Sequence, residues 1–422
     1  MQPGYDGVRR PLRPSPPLPS RYGSPLAMTA ATTLDTPSAP GDPRGDSARA
    51  SVASWLSGLF VLLLLVISVG GYVRLSGSGL SIPDWPLIRI GDSWSLLPPT
   101  SEAGWVEVRA RYDLDQAELQ HAARSGAIGL GSLGAFAHDE PTFKRLFLVE
   151  WCHRMVAALV GLVAAGCLVV VLRHPALRSR VGVLFGVACG LIVMQALIGG
   201  VLVKTGTATH WLFVHLGTAA IILSLIVWTI LALVGKRVPV AADIAARRRP
   251  LRRALHAATI LAWIQIVLGA LVAGSRTSGH DHQDPSQFVS TWPLMMGKLV
   301  PNFLWDSGRP LAWNLLDNAL LHQWVHRWFA GLVVAALLIA FWTARRAPLA
   351  PRLGLSLKVV ATFLGVQVLL GLGNVFLSHP VLVSLAHLVM AMFLLVGLVM
   401  ALFDTLYEHP SDQLAARQGS PA

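Results

Sequence analysis

From Trp55 onward the sequence returns eight times to an apolar run of roughly 20 residues, the length that crosses a hydrocarbon core of about 30 Å as an α-helix. Inside lipid no water is present to pair a free N–H or C=O, so such runs must satisfy their backbone internally. They predict helices near 55–75, 144–172, 181–203, 208–235, 253–275, 318–343, 355–377 and 380–404. Composition excludes a soluble reading. The chain is 54% hydrophobic and 13% charged, whereas soluble domains carry about a quarter charged residues.

The net charge of +12 would suit a nucleic-acid partner, but its distribution points to a membrane. Segments 173–180, 236–253 and 345–358 hold 14 Lys/Arg and one acid, Asp243. The long loops 76–142 and 276–317 hold 7 Lys/Arg against 13 Asp/Glu. This is the positive-inside pattern. It sets both termini in the cytoplasm and both long loops outside, and it excludes a nucleic-acid role. The expected setting is a bacterial inner (plasma) membrane, with lipid as the surrounding partner. Residues 1–50, with 10 prolines and 6 arginines, read as a disordered cytoplasmic tail rather than a secretory signal. Residues 405–422 read as a second disordered tail, and 236–252 as a basic cytoplasmic linker. Cys152, Cys167 and Cys189 fall inside predicted helices and are expected to be small buried apolar residues without disulfides.

The chain also repeats itself. Glu150–Val163 reads EWCHRMVAALVGLV, and Gln323–Ala335 reads QWVHRWFAGLVVA, 173 residues later. His215 in FVHLGTAA returns as His387 in SLAHLVMA, 172 residues later. MQALIGGVLV (Met194–Val203) matches VQVLLGLGNVFL (Val366–Leu377), and a Trp-Pro follows the first helix of each half, at Trp85-Pro86 and Trp292-Pro293. The expected fold is therefore all-α integral membrane, with eight transmembrane helices arranged as two four-helix bundles in parallel orientation, over 51–235 and 253–404.

Ionisable residues inside a membrane are costly and point to function. His153, His215, His326 and His387 fall at one depth, near the outer ends of helices running the same way. A single such histidine often serves only as a helix–helix hydrogen bond. Two repeat-matched pairs fit bis-imidazole ligation of haem iron in the slot of a helical bundle. Zinc or copper fits less well, since neither repeat adds the ligands a closed site needs. His322, whose counterpart is Val149, fails the repeat test, as do His210, His280 and His282. Glu150 lies on one helix face with His153, and its counterpart is the neutral Gln323. This difference suggests proton chemistry at the first site and electron transfer at the second. A salt bridge from Glu150 to Arg154 or Arg74 is the plainer alternative. Arg74, Arg154, Arg276 and Arg327 lie near the outer face, placed either to pair with haem propionates or to snorkel to headgroups.

With these strings in hand, the sequence resembles the haem A synthase family. The matching segments are GGYVRLSGSGLSIPDW (Gly70–Trp85), FKRLFLVEWCHR (Phe143–Arg154), GALVAGSRTSG (Gly269–Gly279), STWPLMMGKLVP (Ser290–Pro301), HQWVHR (His322–Arg327) and LAHLVMA (Leu385–Ala391). The resemblance implies oxidation of the C8 methyl group of haem O to a formyl group, giving haem A for cytochrome oxidase. It implies a haem b cofactor held by His326 and His387, with Arg327 and Arg276 beside it. It implies a substrate haem O near His153 and His215, with Arg154 and Arg74 beside it and Glu150 as the catalytic residue. Haem O synthase is the expected supplier of substrate, and a homo-oligomer is compatible with the family. The first outer loop lacks the cysteine pair that some members carry, which places the chain with the cysteine-free branch. Two other readings accommodate four histidines: an electron-transfer cytochrome holding two permanent b-type haems, and a haem transporter or chaperone.

Overall fold

The computed structural model describes residues 43–124, 137–235, 237–275, 291–302, 304–410 and 412. Eight helices are long and apolar enough to cross a membrane, and the protein is a multi-pass, all-α membrane protein. The first four are α1 (Pro43–Ser76), α3 (Glu140–Arg173), α4 (Pro175–Lys204) and α5 (Thr209–Leu233). The last four are α7 (Arg249–Ser275), α9 (Ala319–Ala344), α10 (Pro351–Phe376) and α11 (Val381–Leu406). Between them lie α2 (Glu102–Arg124), α6 (Ala242–Arg247) and α8 (Leu311–Leu316). The long connections after α1 and α7 mark one face of the molecule, the loop face. The linker between α5 and α7 marks the other.

Every predicted span is a helix. Hydroxyl groups inside the spans turn back on the helix itself: Ser68, Ser224, Thr229 and Thr259 each donate to the carbonyl four residues earlier, at 2.7–2.8 Å. A polar side chain is thereby tolerated in hydrocarbon without a partner helix.

The packing has the symmetry the repeat implies. In the first half α1 packs on α3, α3 on α4, α4 on α5 and α5 on α1. In the second, α7 packs on α9, α10 on α11 and α11 on α7, while α9 and α10 stand further apart. The halves meet through α5 on α7, through its mate α1 on α11, and through α5 on α11. α5 and α11 are the most buried of the eight. α11 serves both cores, giving Met392, Leu395, Val399 and Phe403 to one and Leu394, Leu398, Ala401 and Leu402 to the other. This arrangement fits two four-helix bundles about an axis along the membrane normal.

The match extends to turn geometry. After α4 the chain passes through Gly206 (φ 65°) and Thr207 (φ 56°); after α10 it passes through Ser378 (φ 56°) and His379 (φ 60°). Thr207 N donates to Leu202 O at 2.7 Å and His379 N to Asn374 O at 2.8 Å. Both are left-handed turns that recover orphan carbonyls at a helix end.

Three segments depart from expectation. α1 begins at Pro43, inside the stretch expected to be a tail. The first long connection is folded: α2 lays Val108 and Tyr112 against Phe143 and Phe147, at the start of α3, which begins six residues earlier than its counterpart α9. Further along α3, Cys152, expected to be buried with the other two cysteines, is exposed. The C-terminal stretch does not fray at 405. Tyr407–Glu408 pairs antiparallel with Val238–Pro239 of the linker. Glu408 meets Arg248 at 2.5 Å with both side chains buried, and Arg248 Nε donates to Pro348 O at 2.7 Å.

That buried ion pair ties the linker to the segment that follows α11, and removing one partner leaves a charge stranded. Glu408→Ala is expected to lower stability by about 3–5 kcal/mol, read as a fall in thermal unfolding temperature in detergent. The paired variant Arg248→Met/Glu408→Leu is expected to recover most of it. An unchanged melting temperature in Glu408→Ala would refute the role.

Candidate functional site

The four repeat-matched histidines sit on α3, α5, α9 and α11, and each faces a glycine on the neighbouring helix. A Cβ at Gly70 would lie 2.8 Å from His153 Cε1, and one at Gly269 would lie 3.2 Å from His326 Cε1. A Cβ at Gly199 would lie 3.9 Å from His215 Cε1, and one at Gly371 would lie 3.1 Å from His387 Cε1. Gly70 with Gly269, and Gly199 with Gly371, hold equivalent places in the two halves. At Gly70, Gly269 and Gly371 a Cβ would crowd the imidazole, whereas at Gly199 it would meet His215 at ordinary contact distance.

Glutamines lie against three of the histidines. Gln195 Nε2 donates to His215 O at 2.7 Å. Its counterpart Gln367 approaches His387 Nε2 at 3.4 Å. Gln265 Nε2 donates to His326 O at 2.9 Å and lies 3.1 Å from His326 Nδ1. His326 and His387 face each other with ring centroids 6.4 Å apart. Two imidazoles on opposite sides of one iron, with metal–nitrogen bonds of about 2 Å, put their centroids about 6 Å apart. The Nδ1 atoms of His153, His215 and His387 are buried without a hydrogen-bond partner, and a buried imidazole left unmatched is costly unless a ligand completes it. Among the described residues no cluster of three or more His, Cys, Asp or Glu is placed to hold a bare metal ion. The histidine pairs would suit a haem, which brings nitrogen ligands of its own and would need only imidazoles from the protein.

Glu150 is buried beside His153 and fully engaged. Its Oε2 accepts from Ser81 N (2.8 Å), Ser81 Oγ (3.0 Å) and Ile82 N (3.0 Å). Its Oε1 meets Arg154 Nη2 at 2.5 Å. The salt bridge to Arg154, one of the two sequence alternatives, is present. Arg154 also donates to Ile82 O at 2.7 Å and Asp84 O at 2.6 Å. One carboxylate and one guanidinium therefore pin the first long connection onto the site. Gln323, the counterpart, is buried as well, but is neutral.

Both halves anchor their connection at matching points. Arg154 reaches the carbonyl before Trp85, and Arg327 Nη1 reaches Thr291 O, before Trp292, at 2.8 Å. Trp151 donates to Leu96 O at 2.9 Å, and its counterpart Trp324 donates to Leu299 O at 2.8 Å. The Trp85 indole lies flat on Gly200, where a Cβ would come within 2.8 Å. Leu372 replaces that glycine in the second half, and Trp292 is exposed.

Arg74 goes elsewhere. Its Nε donates to Ala273 O (3.0 Å), its Nη2 to Gly274 O (2.5 Å) and its Nη1 to Thr207 Oγ1 (3.2 Å). It caps the end of α7 and so bridges the halves. Arg276, His280 and His282 lie outside the described residues. Trp263 makes a second bridge: its Nε1 donates to Gly217 O, two residues past His215, at 2.9 Å. The glutamine braces, the four glycines and Trp263 were not singled out from the sequence. For two braces and two glycines the signal was present, since Gln195/Gln367 and Gly199/Gly371 align in the repeat.

Comparison with known proteins agrees with this architecture. A family model described as "Cytochrome oxidase assembly protein" (COX15-CtaA) matches residues 53–399. The chain is 34% identical to the "Heme A synthase" of Paracoccus denitrificans, over 81% of this chain and 84% of that one. It is 32% identical to the "Heme A synthase" of Rhizorhabdus wittichii, over 87% of this chain and 96% of that one. It is 34% identical to that of Methylorubrum populi, over 82% and 85%. The chain belongs to the COX15-CtaA family of cytochrome oxidase assembly proteins.

Proposed function

We propose that this protein is a haem A synthase, an oxidoreductase that converts the C8 methyl group of haem O to a formyl group for cytochrome oxidase. The observation that carries the reading is the pair of matched histidine sites that differ at one buried position, Glu150 against Gln323. A second, family-level support is the "Heme A synthase" name carried by relatives over most of the chain.

In this reading His326 and His387 hold a resident haem b, with Arg327 above them and Arg276 assigned alongside. The bound haem b supplies one-electron redox chemistry. His153 and His215 hold the substrate haem O by its iron, which haem O synthase delivers. Gln195 and Gln265 fix histidine backbones, so the rings are oriented before a haem arrives, and pre-set geometry of this kind lowers the cost of reaction. Glu150 is the catalytic proton acceptor: oxidation of a methyl group releases protons, and Glu150 is the buried carboxylate three residues before His153 on α3. Arg154 holds that carboxylate in place and closes the first connection over the site against water. For Arg74 the bonds to Ala273 and Gly274 favour a clamp between halves over a propionate contact. The loop face lies outside and both termini lie in the cytoplasm of a bacterial inner membrane, as the basic linker face supports.

The test is expression with a haem O source, followed by extraction and chromatography of the haems. Haem A is expected from the parent. His153→Ala is expected to abolish it while keeping the haem b spectrum, and His326→Ala to lose that spectrum. Haem b in both bundles with no haem A would instead mark an electron-transfer cytochrome.

Glu150 separates chemistry from structure. Glu150→Gln keeps an oxygen for Ser81 N and Ile82 N but not the proton acceptor. It is expected to lower haem A formation about 100-fold or more, the usual worth of an acid–base group, with hydrogen exchange at Ser81 and Ile82 near the parental rate. Glu150→Ala strands those donors and is expected to speed their exchange by about 10- to 100-fold. Full haem A formation in Glu150→Gln would remove Glu150 from the chemistry.

A further inference from the structure

One helical turn before each glycine that faces a histidine stands a residue that sets the four sites apart. The segments read Gln195-x-x-x-Gly199 on α4, Gln265-x-x-x-Gly269 on α7 and Gln367-x-x-x-Gly371 on α10. On α1 the same register reads Val66-x-x-x-Gly70. Residues four apart share a helix face, so each glutamine reaches the histidine that its glycine faces. Gln195 Nε2 donates to His215 O, and Gln367 Nε2 lies 3.4 Å from His387 Nε2. Gln265 Nε2 donates to His326 O and lies 3.1 Å from Nδ1 and 3.3 Å from Nε2 of that ring. Of the four histidines, His153 is the one with a valine in that place.

The unmatched polar atoms fall into the same pattern. Oε1 of Gln195, Gln265 and Gln367 is buried without a hydrogen-bond partner, and so is Nδ1 of His153, His215 and His387. A histidine that binds iron through Nε2 carries a proton on Nδ1, and an acceptor for that N–H orients the ring and raises its basicity as a ligand. Beside His215, His326 and His387 stands a buried carboxamide oxygen that lacks a donor. Beside His153, Val66 has no polar side-chain atom to offer. The backbone carbonyls of Val66, Gln265 and Gln367 lie near the rings they face in both halves, so the carboxamide is the difference. Glu150 does not replace it, because its oxygens are already taken by Ser81, Ile82 and Arg154.

We propose that the absent fourth glutamine makes His153 the exchangeable ligand: a haem in the first site is gripped by His215 and released through His153, whereas both ligands of the second site are fixed. The inference rests on the reading of the two pairs as haem sites, with His153 and His215 taking the substrate. A substrate must arrive and its product must leave, and each passage makes or breaks iron–nitrogen bonds. A resident group needs neither. Removing a partner of this kind from a metal-bound histidine costs about 10- to 100-fold in affinity, and the bond to His153 is expected to be the weaker by that factor.

Carbon monoxide tests this in the full-length ferrous protein in detergent. It binds only where an axial imidazole departs: one iron–nitrogen bond breaks, one iron–carbon bond forms, and the oxidation state is unchanged. Protein carrying the resident haem alone is expected to stay closed to carbon monoxide, and haem O added afterwards is expected to bind it. Val66→Gln, which supplies the missing carboxamide, is expected to weaken carbon monoxide binding by the added haem at least tenfold. Gln265→Val is expected to open the resident haem, and Gln265→Glu, which keeps an oxygen beside His326, to leave it closed. His153→Ala is expected to retain haem O on His215 with a five-coordinate spectrum, and His215→Ala to lose it. Carbon monoxide binding within twofold of the parent in Val66→Gln, with haem O bound by both histidines, overturns the proposal while sparing the substrate site. Should Val66→Gln not fold, a resident haem that remains closed in Gln265→Val overturns it equally. Haem O retained in His215→Ala but lost in His153→Ala also overturns it. A parent that takes up no haem O removes the substrate reading and the proposal together.

Discussion

In hydrocarbon, apolar side chains gain little by leaving lipid for one another, so helices must associate by close backbone approach and by the few polar groups they share. The glycine–imidazole contacts are where this constraint and the site coincide. Gly70, Gly269 and Gly371 let the helices come near enough that the rings of His153, His326 and His387 rest on a neighbouring backbone. The same closeness defines a slot with imidazoles at fixed positions. Packing and site geometry are therefore one interaction seen from two sides. The halves are joined in the same manner, through Gly217 under Trp263 and through Gly274 under Thr209.

On this symmetric frame the differences are local and concentrated at the loop face. The first half has a longer α3, a folded connection with its own small core, a seated Trp85 and a charged Glu150–Arg154 pair. The second has Gln323, an exposed Trp292, and a buried His322 and Asn318 bonded to Ser275 Oγ and Leu304 O. Near the opposite face Arg180 Nε donates to Ala232 O at 2.8 Å, whereas at the corresponding position of the second half Asp404 accepts from Ser356 Oγ at 2.7 Å.

The helices, the histidine pairs and the Glu150/Gln323 difference could be read from the sequence because each is written in local pattern: apolar run length, a 173-residue echo, one changed letter. What could not be read depends on contacts between distant segments. Arg74 is near the loop face in any reading, but only the packing of α1 beside α7 sends it to Ala273 and Gly274. Glu408 looks like part of a polar tail until the linker folds back beside it. His322 fails the repeat test because its task belongs to one half alone. The glycine contacts lay between these extremes, since their alignment was visible but their depth against a ring was not.

The tandem repeat has a consequence for how such a site can arise at all. Two identical four-helix chains paired about a twofold axis must present the same residue at symmetry-related positions. A carboxylate gained beside one histidine would be gained beside both. Joining the copies through the linker at 236–248 removes that obligation. Position 150 can be acidic while position 323 is neutral. Covalent fusion is thus what permits the two halves of one frame to differ at matched positions.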